Sequence, residues 1–354
     1  MAIKTIDAQT IQGNQWLVHK GYVSRNGDQW VINNTALDAI GNPNVMLDAD
    51  GGIAFYISQL AGIEATVYET PYGDITYRSD VPMAANIPEY ADTWMYRSYD
   101  GVTMGKFIGA NGQDLPRVAQ SAQMHTVPLG YAGNECHYTL DEMRKSAAMN
   151  MPIDAEQARL AFRGAEEHSQ SVAYFGDSSR GMYGLFNNPN VTLSSATKDY
   201  KTMNGQELFN MLNAPIFSVI NLSRRFHVPN TALMFPDLWN QANNQLMTGY
   251  TDRTVMQHFM EANSYTLLTG NELDIQIRFQ LDAAELAANG VSNSNKPRYM
   301  VYDKSDRNLA MANPIPFRML APQMASLGIT VPAEYKISGT EFRYPLCAAY
   351  VDMA

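Results

Sequence analysis

Positive charge is scarce in this chain. Its 354 residues carry 25 Lys and Arg against 35 Asp and Glu, a formal net charge of −10. That balance argues against a protein that works by gripping phosphate backbones. Charge of either sign is thin, at 17% of residues, against roughly 25% in an ordinary soluble domain. A surface poor in charge and rich in amides, here 28 asparagines, suits a molecule largely covered by partners. Two cysteines, Cys136 and Cys347, are too few for a disulfide framework. Both are expected as buried thiols in a reducing compartment. No apolar run approaches the roughly 20 residues of a membrane-spanning helix. Met1 to Asn14 lacks the apolar stretch of a secretory signal.

Chemistry-bearing motifs are missing as well. The six histidines are scattered, with no H-E-x-x-H and no C-x-x-C. Cys136 and His137 are adjacent, so on an extended segment they face opposite ways and cannot share a metal. Gly176-x-Ser178-x-x-Gly181 has the wrong spacing for a nucleophile elbow and follows a helix instead of a strand. Gly181-x-x-Gly184 lacks the lysine of a phosphate loop. Glu166 and Glu167 are expected as surface charge on a solvated helix face. The 21 methionines are dispersed and suit gap filling. No catalytic, metal or cofactor-binding residue is expected, and no cofactor.

Residues 1–60 are turn-rich and read as an extended arm, with one short helix near Ile53 to Leu60. Glu64 to Thr70 and Trp94 to Tyr99 alternate with the period of a strand. Between them Gly73, Pro82 and Pro88 break regular structure. The segment 64–108 is rich in Tyr and Thr and poor in Leu, Ile and Val, so it reads as a two-stranded ribbon without its own core. A lone hairpin is marginal in water, so the ribbon must rest on another surface. The plainer alternative is a strand pair inside an ordinary sheet.

The clearest helical signal spans 139–175. Thr139 and Glu142 form a capping box, and Pro152 stops or kinks the helix. A narrow stripe of Ala158, Ala161, Phe162, Ala165, Val172 and Phe175 follows helical spacing. A second helix is expected over 205–226, with Pro215 inside it. Strands are expected at 232–235, 274–279 and 298–302, and helices at 237–247 and 254–263. Residues 283–296 read as a surface loop. The segment 341–351 reads as a closing strand, placed at an edge or bulge by Pro345.

One stretch stands apart: Tyr174-Phe-Gly-Asp-Ser-Ser-Arg-Gly-Met-Tyr-Gly-Leu-Phe-Asn-Asn-Pro-Asn-Val191. A long helix running into a Phe-Gly-Asp turn, then Gly-Leu-x-Asn-x-Pro-Asn-Val, resembles the major capsid proteins of tailed bacteriophages and the related encapsulin shells. The ribbon looks like their extended loop and 139–175 like their spine helix. Arg343 to Asp352 looks like their terminal strand.

The resemblance implies an α+β fold of the Hong Kong 97 type. Its parts would be an N-terminal arm (1–60), an extended loop (64–108), a peripheral domain with the spine helix (109–231), an axial domain (232–314) and a return to the peripheral domain with the closing strand (315–354). It implies a non-enzymatic subunit that assembles through hexamers and pentamers into an icosahedral shell around a phage genome. The shell would form in the bacterial host cytoplasm and persist in the virion, without a membrane. A shell around an enzyme cargo is the alternative. Implied partners are a portal protein at one vertex, a decoration or cement protein, and packaged double-stranded DNA held non-specifically. With about 60 residues ahead of the ribbon, scaffolding is expected as a separate protein or not at all. The residues expected to touch a neighbouring subunit are Tyr68, Tyr72, Tyr77, Arg78, Trp94, Tyr96 and Arg97. The ribbon holds no lysine from Glu64 to Gly105, and Lys106 is expected at its base. The lysine–asparagine cross-links of some relatives are therefore not expected.

Overall fold

The computed structural model describes residues 5–6, 23–26, 29–32, 73–102, 105, 107, 118–149, 153–291, 295–325 and 328–354. The chain divides into two units, 1–73 and 74–354. In the first, Gln29–Ile32 pairs antiparallel with both Thr5–Ile6 and Val23–Asn26. The expected arm thus carries a small sheet. The helix expected at 53–60 and the strand at 64–70 lie outside the described residues.

The second unit holds a five-stranded mixed sheet in the order Thr192–Ser195, Ala348–Asp352, Arg298–Tyr302, Thr231–Met234, Asp274–Ile277. Its three middle strands are buried at every residue. That explains their unbroken apolar runs in place of alternation. Helix Gly205–Leu222 covers one face through Leu208, Leu212, Ile216 and Val219. Asn204 caps it: its side chain accepts from the Glu207 N–H at 2.9 Å, and Glu207 accepts from the Asn204 N–H at 3.1 Å.

The last strand corrects an expectation. Ala348–Asp352 is interior to this sheet, parallel to Thr192–Ser195 and antiparallel to Arg298–Tyr302. Pro345 opens a single turn, Pro345–Cys347, just ahead of the strand, so its missing N–H falls outside the ladder. The last strand therefore shares a layer with 231–302, after 315–337 has run in another sheet. Arg298 and Asp352 lock the register with a buried ion pair, Nε to Oδ1 at 2.6 Å.

A second sheet is dominated by two ten-residue strands, Gly130–Thr139 and Gly328–Ile337, paired antiparallel from Gly130↔Ile337 to Thr139↔Gly328. The first reads as polar and glycine-bearing, which hid it in the sequence. Its burial alternates along its length, with Tyr131, Gly133, Glu135 and His137 exposed and Cys136 and Tyr138 buried.

The helical region 139–175 forms as Leu140–Met149 and Ile153–Phe175. The Thr139–Glu142 capping box is present, with the Glu142 N–H donating to Thr139 Oγ1 at 3.2 Å and Glu142 Oε2 accepting from the Thr139 N–H at 3.0 Å. The long helix ends at Gly176, whose φ is +71°. A Cβ there would lie 2.2 Å from the Met182 carbonyl oxygen. At Gly184 it would lie 2.3 Å from the Tyr174 carbonyl. The Phe-Gly-Asp turn is thus a close backbone crossing that only glycines allow.

Glu166 is not surface charge. It is 6% exposed and accepts hydrogen bonds from Tyr77 and Arg78. Ala165 beside it is 1% exposed. Ala165→Leu should therefore overpack and cost about 1–3 kcal/mol, while Glu167→Gln, on the exposed face, stays near wild type. Urea denaturation of the two variants, giving equal midpoints, would contradict this burial.

The ribbon exists with different boundaries. Thr93–Val102 pairs antiparallel with Ala119–Pro128, from Thr93↔Pro128 to Val102↔Ala119. The partner strand follows Thr93–Val102 in the chain instead of preceding it. The expected tip is instead packed inside: Tyr77–Asp80 is a helical turn with Tyr77 and Asp80 buried. Lys106 lies outside the described residues; in sequence it falls between the two paired strands. The argument against lysine cross-links therefore loses its ground.

Candidate assembly surface

Ten residues per arm give the ribbon a length of about 33 Å. Its two faces differ. Trp94, Tyr96 and Ser98 point toward the body of the same chain and are half-buried. Tyr96 Oη donates to Glu341 Oε1 at 2.9 Å. The Arg343 guanidinium lies over the rings of Trp94 and Tyr96, 5.1 and 5.9 Å from their centroids. His125 stacks on Tyr96 at 4.8 Å. Burial raises the pKa of Glu341, against the opposing pull of the Tyr96 hydroxyl, His125 and Arg343. At the root, Lys336 Nζ meets Asp92 at 3.1 Å, and the Leu129 N–H donates to the Asp92 carbonyl at 3.0 Å. Arg318 bridges Glu89 at 3.1 Å and Glu334 at 2.6 Å.

The opposite face has no such support. Met95 and Tyr99, with Met124 across the ladder from Arg97, are 56%, 63% and 57% exposed. Phe107, beyond the paired strands, is fully exposed. Apolar side chains held out on a two-stranded ribbon form an adhesive surface without a core behind it.

The seven expected contact residues separate accordingly. Tyr68 and Tyr72 lie outside the described residues. Tyr77 is corrected: it is fully buried and donates to Glu166 Oε2 at 3.1 Å, because residues 77–80 pack on the long helix. Arg78 pairs with Glu166 Oε1 at 2.6 Å, yet its side chain stays 52% exposed. Trp94 and Tyr96 dock the ribbon onto its own body. Arg97 stays exposed, with no ion pair among the described residues. Met95, Tyr99 and Met124 escaped the sequence argument. The alternation of 94–99 was the available signal, but the partner strand was needed to tell which face was free.

Asp177 accepts from the Ser179 N–H at 3.0 Å and from Ser179 Oγ at 2.6 Å, and these bonds hold its carboxyl below the usual range. Among the described residues, no three His, Cys, Asp or Glu side chains stand close enough to hold a metal ion. No helix among them is long and apolar enough to cross a membrane.

Two sheets, a long helix leaving through a glycine crossing, and a projecting ribbon make this a Hong Kong 97-type capsid subunit fold. The chain belongs to the major capsid protein family, whose model matches residues 104–353. Among solved structures it is similar to the capsid of Myoviridae phage XM1, with a TM-score of 0.69 at 10% identity, covering 84% of this chain and 97% of that one. It is also similar to a structure from Mycobacterium phage Ogopogo, with a TM-score of 0.56 at 10% identity, covering 84% and 98%. The capsid of a native GTA particle gives a TM-score of 0.54 at 12% identity, covering 85% and 98%. No curated protein matches the sequence. The protein is a structural component of the virion.

Proposed function

We propose that this chain assembles with copies of itself, through hexamers and pentamers, into an icosahedral shell that encloses a phage genome, and that it works by contact and not by catalysis. The observation that carries this is the ribbon: its outer face of Met95, Arg97, Tyr99 and Met124 is exposed with no core of its own. Such a face is stable only against another molecule. The native GTA particle was computed with C5 symmetry, which suits a subunit that also surrounds five-fold axes.

Within this proposal, 93–128 is the extended loop and residues 1–60 are the arm. The five-stranded sheet belongs to the axial domain, and the sheet of 130–139 and 328–337 with the long helix to the peripheral domain. A portal protein, separate scaffolding and a decoration protein are the further partners. The acidic balance suits DNA held by confinement, without a tight grip on its phosphates.

Electron microscopy of the expressed chain tests the reading. Closed shells tens of nanometres across are expected. Sedimentation as a 39 kDa species under all salt conditions, even with scaffold and other virion proteins supplied, would refute it.

A further inference from the structure

The five-stranded sheet carries unpaired charged groups at both ends, guanidinium groups at one and carboxylates at the other. At one end, helix Gly205–Leu222 runs out into Arg224 and Arg225, which adopt positive φ of 51° and 68°. Both are exposed, and neither has an ion pair among the described residues. Between them and Tyr344 lies Phe226, 60% exposed, with the Arg307 guanidinium 5.2 Å from its ring centroid. Phe226 and Tyr344 rings are 6.4 Å apart. Carboxylates stand nearby too, so what marks this end is its exposed guanidinium groups without a carboxylate partner and not a net charge. Asp303 lies 3.6 Å from the His227 ring, Asp306 is exposed, and Asp274 sits on the edge strand. Exposed aromatics rimmed by arginine are the composition of a protein-binding hot spot.

The other end is the counterpart. Strand Thr231–Met234 leads away from the arginines to Pro236 and Asp237, about 13 Å on. Asp274–Ile277 runs parallel to it and leads to Phe279, 68% exposed, then Asp282 and Glu285. None of these three carboxylates has an ion pair among the described residues. Burial, and then the charges of Asp237 and Glu285, push the Asp282 carboxyl up. Asp237 and Glu285 thus crowd Asp282, and an incoming cation relieves that repulsion. Asp199, Asp237 and Asp282 line an open crevice of about 400 Å³, with Lys201 on its wall.

We propose that these two ends bind each other between copies, the guanidinium groups of Arg224 and Arg225 of one subunit entering the carboxylate-lined crevice of the next. Both patches belong to one chain and lie at opposite ends of one sheet, so the contact is head-to-tail, the kind that forms a ring where the rotation between subunits closes. Each end carries charges that its own subunit leaves unpaired, which selects the order of subunits as well as binding them. The inference rests on the assembly reading above.

Charge reversal tests it. Three variants are compared with wild type for the concentration at which particles form: Arg224→Glu with Arg225→Glu, Asp237→Lys with Asp282→Lys, and all four together. Each pair alone should raise that concentration about tenfold or more, and the fourfold variant should return to within about threefold of wild type. If a reversed chain fails to fold by circular dichroism, Arg224→Gln with Arg225→Gln decides. It removes charge without reversing it and should still raise the threshold about threefold. Paired reversals that assemble like wild type, a fourfold variant no better than the pairs, or an indifferent glutamine variant would overturn the contact while leaving the shell intact. Wild-type chains that form no particles would overturn the assembly reading and the contact with it.

Discussion

Replacing Arg278 with alanine should cost the subunit about 3–5 kcal/mol, enough to unfold much of it at working temperature if its total stability is the usual ~5–15 kcal/mol. Arg278 reaches Asp80 with both arms of its fork, Nε to Oδ2 and Nη2 to Oδ1, each at 2.6 Å. Asp80 is 1% exposed. Its remaining support is neutral: the Tyr174 hydroxyl donates to Oδ2 at 2.6 Å and Ser79 Oγ to Oδ1 at 3.1 Å, while Tyr302 Oη donates to the Asp80 carbonyl at 2.9 Å. Removing the guanidinium leaves a buried carboxylate held by two neutral donors and no cation. The cost comes from that stranded charge more than from the lost attraction. Asp80→Asn combined with Arg278→Ala should therefore recover part of the loss. Urea denaturation of unassembled subunits provides the measurement. A single variant within 1 kcal/mol of wild type would show that the pair is solvated in the working protein.

Shortening the ribbon should have the opposite pattern: no loss of folding and complete loss of shells. Ser98 and Gln123 face each other across the ladder. Deleting Tyr99 to Ala122 and joining them through Asn-Gly closes the ribbon with a two-residue hairpin turn. The contacts of Trp94 and Tyr96 with Glu341 and Arg343 are untouched, so the melting temperature should stay within a few degrees. Met95, Arg97 and Met124 with Tyr99 form the outward face, and the truncation removes Tyr99 and the whole distal ribbon. Particles by electron microscopy should fall below detection. Wild-type particle yields would mean that the ribbon is not an assembly element. An unfolded subunit would mean that its distal half is internal structure.

Some features were legible because their signals are local. The capping box of Thr139–Glu142 lies within one helical turn, and the turn geometry that satisfies it involves no distant residue. The Tyr174–Val191 stretch was legible for a related reason: its glycines sit where the backbone crosses itself within about ten residues. It also carried the family, since it holds the same order of helix, turn and Asn-Pro segment.

The ribbon was half legible. The alternation of Trp94 to Tyr99 marked one strand correctly, yet Glu64 to Thr70 and Ala119 to Pro128 are both plausible partners for it. Period-2 alternation names a strand but not its neighbour. Choosing the earlier segment moved Tyr77 and Arg78 into the tip and Lys106 to the base. For the assembly surface the consequence is larger, because which face of the ribbon is free depends on what the other face rests on.

What the sequence determined by itself was the longer helices, the cap at Thr139, the strands expected at 232–235 and 298–302, and the family, each from signals a few residues apart. The short helices Ser264–Thr269 and Ala283–Ala288 escaped it, the second being read as loop. What the tertiary structure decided was pairing and burial. It placed the last strand inside the five-stranded sheet and turned Glu166 from surface charge into the buried partner of Arg78, 88 residues away. It also brought Arg278 to Asp80 across 198 residues. A carboxylate is tolerated in a core only where a cation meets it, and that meeting depends on residues no local pattern connects.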